Sequence, residues 1–189
     1  MNFRGEKRCN DTHQSRTDAD SVLYRKARGK EARLYLGGHA LMENRHGLCA
    51  EFTLHNPITE PEPVVALRQL DEHAELHEGV RAATVGADKN YHQRAFVSGC
   101  RERGVAPHVA CKEKVHVPGL DGRTTTKTGY QVSQRIRKRV EEIFGWMKTV
   151  GGLRRSRYLG LERTQAWGYF VAGTYNLLRL AGLGAGAAG

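Results

Sequence analysis

Residues 131–152 read QVSQRIRKRVEEIFGWMKTVGG, and the spacing inside them sets the first expectation for the fold. Ile136, Val140, Ile143, Phe144 and Met147 recur at i, i+4, i+7, i+8 and i+11, one apolar stripe of an amphipathic helix. Ser133 is the expected N-cap and Gly151-Gly152 the expected stop. Arg137, Glu141 and Lys148 lie beside the stripe. At about 100° per residue, Glu141 falls roughly 40° and Lys148 roughly 20° from Arg137 around the helix. The expected result is a carboxylate held ionised in a row between two cations, with phosphates drawn to the same face. Taken alone, this spacing reads as an amphipathic surface helix with i,i+4 ion pairs.

Outward from that helix, charge narrows the choice of partner. The chain has 189 residues and a net charge of +10, with a pI near 9.7. Such a balance favours polyanions, above all nucleic acid, over acidic or neutral partners. A basic scaffold protein would share it, but the cations here are clustered. Arg135, Arg137, Lys138, Arg139, Lys148, Arg154, Arg155 and Arg157 crowd the helix and the loop after it, opposed there by Glu141 and Glu142. This cluster is the expected phosphate-binding surface, with a salt-dependent grip. The length fits one domain with arms. Mean hydropathy is −0.58. No apolar run has the length of a membrane span, and the polar N-terminus carries no signal-peptide pattern. Cys9, Cys49, Cys100 and Cys111 form no CxxC and read as reduced thiols.

The order of elements is mixed α/β. Residues 1–30 are polar without an apolar period and read as an arm. Residues 31–43 and 48–54 read as a hairpin turning at Asn44-Arg45-His46-Gly47. Val64, Val65, Leu67, Leu70 and Leu76 predict a helix after the Glu60-Pro61-Glu62-Pro63 break. Strands are predicted at 82–87 and 105–110, with a helix over 91–103 between them, closed by Gly104. Residues 112–130 predict a loop. The last helix is expected over about 161–180, on the period Trp167, Phe170, Val171, Thr174 and Leu178, with a flexible Ala/Gly tail at 181–189.

Two acids stand out. Asp88 sits where a strand ends, and Glu141 lies on the helix. Carboxylates brought together from two such elements can hold divalent ions through oxygen, and paired ions can drive phosphodiester chemistry. Alone, Asp88 reads as a turn-forming acid.

Longer stretches carry more information. Gly86-Ala87-Asp88-Lys89-Asn90-Tyr91, Arg135-Ile136-Arg137-Lys138-Arg139-Val140-Glu141-Glu142, Phe144-Gly145-Trp146 and Lys148-Thr149-Val150 closely resemble the DDE transposases of bacterial insertion sequences. The similarity continues through Phe3-Arg4-Gly5-Glu6-Lys7-Arg8, Leu23-Tyr24-Arg25-Lys26, Gly38-His39-Ala40-Leu41-Met42-Glu43-Asn44, Gly151-Gly152-Leu153-Arg154 and Tyr175-Asn176-Leu177. The nearest group is that of insertion sequence five, related to the insertion sequence four superfamily.

The resemblance implies an α/β, RNase H-like fold: a mixed sheet with flanking helices, occupying residues 31–180. It implies that Asp88 is the second catalytic acid and Glu141 the third, both ligands of Mg²⁺ or Mn²⁺ in a two-metal site. Arg137 and Lys148 match the Arg-x3-Glu-x6-Lys signature, whose basic members handle DNA phosphates. Gln134 stands where the signature often has Tyr. Asn90 and His92 replace the commoner Gly and Asp after the second acid. The first catalytic Asp of the family lies upstream of the Phe-Arg-Gly-Glu-Lys-Arg segment, on the first core strand. The expectation is therefore a catalytic domain without that strand. Asp18 and Asp20 match a different stretch and read as solvated turn acids.

The implied function is Mg²⁺-dependent DNA strand cleavage and transfer. The alternative is an inactive fragment that binds DNA or a transposase. Expected partners are double-stranded DNA (transposon ends and target) and a second copy or a complementing transposase fragment, without a membrane, in the bacterial cytoplasm at the nucleoid. His73 and His77, four apart around Glu75, lack a third ligand in the sequence and read as a charged solvent face. His39 and His46 read as structural, and Trp146 as core. Lys112, Lys114, Arg123 and Lys127 read equally as solvated or as touching DNA.

Overall fold

The computed structural model describes residues 9–25 and 29–187, with the backbone of 2–3 and 6–7. Arg4, Gly5, Arg8 and Lys26 of the family-like stretches, and the last two residues of the tail, lie outside the described residues. The short strands β1 (Asn2–Phe3) and β2 (Glu6–Lys7) pair antiparallel, as do β3 (Val22–Tyr24) and β4 (Arg33–Tyr35). The predicted hairpin is β5 (Gly37–Met42) and β6 (Cys49–His55), with a register shift at Leu41/Met42. Glu43 closes its turn, its carboxylate accepting from the backbone N–H groups of Arg45 and His46.

α1 (Glu62–Leu76) follows Pro61, whose missing N–H costs nothing at a helix start. β7 (Thr84–Ala87), α2 (Arg94–Glu102) and β8 (Ala106–Val109) make a crossover unit whose two strands are parallel. The sequence placed the start of α2 at residue 91. Instead one turn of 3-10 helix occupies Lys89–Tyr91, because the Asp88 carboxylate caps it by accepting from Asn90 N–H at 2.7 Å. Gly104, at φ +72°, closes the helix as expected.

α3 (Gly122–Thr125) and the start of α4 (Thr128–Ile136) lie within the stretch read as a loop. Ser133 is not a cap. It is buried on α4, and its hydroxyl meets His108 Nδ1 at 2.8 Å. The predicted single helix is divided: a 3-10 turn at Arg137–Arg139 separates α4 from α5 (Val140–Thr149). α6 runs Leu161–Ala187, past the predicted end. Its buried face also differs from the expected one. Val171 is buried, but Phe170 and Leu178 are exposed. Small residues carry the contact instead: a Cβ at Gly168 would lie 2.6 Å from Phe52 Cε1, so the helix rests on that ring because glycine stands there.

Two cores result. One joins α1, α2, β7 and β8 around Phe96, Val97, Cys100 and Val109. Phe96 is 1% exposed, and burial of a side chain this size contributes about 1.5–3 kcal/mol. The other joins β6, α5 and α6 around Phe52, Ile143, Met147 and Val171. Trp146 packs edge-on against Tyr175 there, in keeping with a core role. A buried polar link ties the hairpin to α1. Gln69, fully buried, donates to Thr53 Oγ1 at 2.9 Å and to the His39 carbonyl, and its Oε1 meets His39 Nδ1 at 2.6 Å. His39 Nε2 continues to the Tyr91 hydroxyl at 2.7 Å. Such a network is favourable when every member is satisfied.

Candidate active site

β5 pairs with β6 and β7 pairs with β8, and no strand among the described residues joins β5 to β7. Between them lies a cleft of about 550 Å³. Leu41, Val85 and Phe96 of the first core and Val140 and Phe144 of the second line it. The cleft thus runs along the seam between the two cores. β5 and β7 both contribute to its lining, and neither has a second strand partner among the described residues.

Asp88 and Glu141 both border this cleft, with Arg137 and Arg139. Asp88 is there because β7 ends at Ala87 and the chain turns at once. Its Oδ1 accepts from Asn90 N–H, which fixes the carboxylate. The Asn90 departure therefore keeps the turn, since the bond uses the backbone. Glu141 is exposed in the first turn of α5, a position that favours negative charge. Among the described residues it makes neither an ion pair nor a hydrogen bond, so its oxygens are available. Carboxylates supply the hard oxygen donors that Mg²⁺ takes alongside water, so the donor chemistry of these two cleft residues suits such an ion.

The expected pairing of Arg137 with Glu141 is not among the ion pairs of the described residues. The 3-10 turn at Arg137–Arg139 advances more per residue than an α-helix, which shifts the positions around the axis. Arg137 Nε instead donates to Gln134 Oε1 at 2.9 Å. Gln134 also donates to the His108 carbonyl, so it ties β8 to Arg137. That is the work done at the position where Tyr was expected. Lys148 lies 5.6 Å from the Phe144 ring centre. Arg139 is engaged too, its Nη1 donating to the carbonyls of Asn44 and Arg45 at 3.2 Å. Arg135, Lys138, Arg154, Arg155 and Arg157 are exposed. None of those five is in an ion pair among the described residues.

Burial shapes the neighbouring titrating groups. It holds the His39 and His108 imidazoles below the usual histidine value and raises the Tyr91 phenol. These groups bind other protein atoms and read as structural. In the 112–130 stretch Arg123 is taken by Asp121, Nη2 to Oδ2 at 2.7 Å. Asp18 accepts from the Asp20 backbone, a turn acid as expected. Asp20 is more: its Oδ2 accepts from Leu161 N–H at 2.7 Å and caps α6. A partner 141 positions away leaves no local signal.

A strand-end aspartate and a helix glutamate line one cleft with two arginines, in an α/β protein. The match to known families agrees: residues 11–177 fit the model of the transposase DDE domain. The chain belongs to that family. No curated protein and no solved structure matches it.

Proposed function

We propose that this chain is the catalytic part of an insertion-sequence transposase of the insertion sequence five group, cutting and joining DNA with divalent metal. The observation that supports this is that Asp88 and Glu141 are both among the residues lining one cleft. Residues 31–180 form an RNase H-like domain in this reading. Asp88 and Glu141 are the residues that hold Mg²⁺ or Mn²⁺. Held there, divalent metal would supply the activation of a water or a 3′-hydroxyl and the stabilisation of the leaving oxygen. Asn90 N–H keeps Asp88 aimed at the cleft. Arg137, steadied by Gln134, faces the phosphate. Arg135, Lys138, Arg139, Lys148, Arg154, Arg155 and Arg157 form the track for the DNA backbone, whose grip weakens with salt. A third acid, carried on an apolar strand laid in the cleft between β5 and β7, completes the set in this reading. No helix among the described residues is long and apolar enough to cross a membrane.

The test is Mg²⁺-dependent nicking of DNA carrying the element's ends. It is run with this chain alone and co-expressed with a polypeptide supplying an aspartate-bearing apolar strand. Nicking in the second sample that vanishes with Asp88→Ala and with Glu141→Ala is the expected result. Cleavage that survives both replacements overturns the assignment of the acids. DNA binding with no cleavage in either sample favours the non-catalytic DNA-binding reading.

A further inference from the structure

At the C-terminal end of α1, the structure supplies what the sequence lacked for His73 and His77. Their spacing puts both imidazoles on one face of the last turns of α1. The ring centres are 4.4 Å apart. β6 brings Glu51 to the same place, its Oε1 3.6 Å from His73 Nδ1. One ligand atom from each of the three residues lies within 4.8 Å of the others.

We propose that Glu51, His73 and His77 bind Zn²⁺, clamping the C-terminal end of α1 to β6. The chemistry of the pocket favours a cation. His73 Nδ1 is shielded from solvent and has no hydrogen-bond partner, a costly state for a buried polar atom. A separation of 3.6 Å is too long for a hydrogen bond. It is close to the spacing of two ligands on one ion: atoms at about 2.0–2.1 Å from a tetrahedral Zn²⁺ sit about 3.3–3.5 Å apart. Two imidazoles and one carboxylate suit zinc rather than magnesium, which prefers oxygen alone. The third ligand belongs to a strand, and the helix end is held independently: Gly79 N–H bonds the Ala74 carbonyl at 2.7 Å. Three protein ligands leave a fourth position for water, on the side where His77 is exposed.

The site shares no residue with Asp88 or Glu141, so its test needs no DNA. Full-length protein without a histidine tag is stripped with chelator and titrated with Zn²⁺, following stoichiometry and the thermal midpoint. One equivalent bound, with a rise in the midpoint that Mg²⁺ does not reproduce, is expected from ligand linkage. Co²⁺ in its place should show d–d absorption without a thiolate band, which separates this site from the cysteines. His77→Ala removes an exposed side chain and leaves the fold intact. It should weaken Zn²⁺ binding by about 100-fold or more, since even an outer partner of a ligand is worth about 10–100-fold. Glu51→Gln should weaken it as well, with native circular dichroism confirming that the fold persists. If Zn²⁺ binds the His77→Ala protein as it binds the parent, the proposal is wrong. It is equally wrong if the stripped parent takes up no Zn²⁺ at micromolar concentration, and Glu51 and His73 are then only an ion pair.

Discussion

Along the outer edge of β6, two amide side chains of α6 bond to the backbone, whereas along the other edge of the hairpin β5 faces β7 across an open cleft. Asn176 receives the Cys49 N–H at 2.8 Å and donates to the Cys49 carbonyl at 2.9 Å. Gln165 accepts from the Leu54 N–H and donates to the Phe52 carbonyl at 2.9 Å. A carboxamide has the same donor and acceptor as a peptide group, so α6 serves β6 as a neighbouring strand would. No strand among the described residues does this for the β5 and β7 edges. One edge is sealed for stability. The other is left where the acids and arginines gather. An unpaired edge invites a further strand, and that invitation lies beside Asp88 and Glu141.

The sealed edge breaks most readily at Gly168. Gly168→Val places a side chain against the Phe52 ring, whose Cε1 lies 2.6 Å from the Cβ position. A loss of about 2–3 kcal/mol is expected, read from the urea midpoint. Asn176→Ala comes next. It strips the Cys49 N–H and C=O of their partners and should cost about 1–3 kcal/mol. Native-state hydrogen exchange sharpens the contrast. The Cys49 and Leu54 amides should exchange only through large openings, while edge amides of β5 and β7 facing the cleft exchange by small local ones. Asn176→Ala should bring Cys49 down toward the behaviour of the cleft side.

A smaller effect follows from pH. Burial depresses His39, beside the cleft, together with His92 and His108. For a group whose folded value is lowered, the unfolded chain takes the proton first as pH falls. Stability from these histidines is therefore full above the ordinary value of about 6.5 and is lost as pH drops below it. Glu51, raised by burial, works in the opposite sense at lower pH. The thermal midpoint should fall between about pH 7 and 5.5, and His39→Gln should flatten that fall.

Much of this arrangement was legible in local patterns. The alternation around 44–47 marked the hairpin, and the Pro61–Pro63 break marked α1. Asp88 at a strand end and the apolar stripe of α5 placed the two acids on ordered elements. What escaped was nonlocal. Nothing in Arg137-Lys138-Arg139 discourages a regular helix. Their turn coincides with guanidinium bonds to Gln134 and to the hairpin carbonyls, which only packing brings near. The face of α6 was misread because Gly168 and Ala172 make the contact while Phe170 and Leu178 stay in solvent. Hydrophobicity points to large residues, and close approach selects small ones. Glu51 joins His73 across two elements, and no spacing rule reaches it.

The central proposal is that Asp88 and Glu141 together hold divalent metal in the cleft. Mn²⁺ binding, followed by water proton relaxation, tests it directly. The parent protein should bind Mn²⁺, and Asp88→Ala and Glu141→Ala should each weaken binding by more than about tenfold, as expected when one of two carboxylate ligands is removed. Unchanged Mn²⁺ binding in both variants would contradict the account.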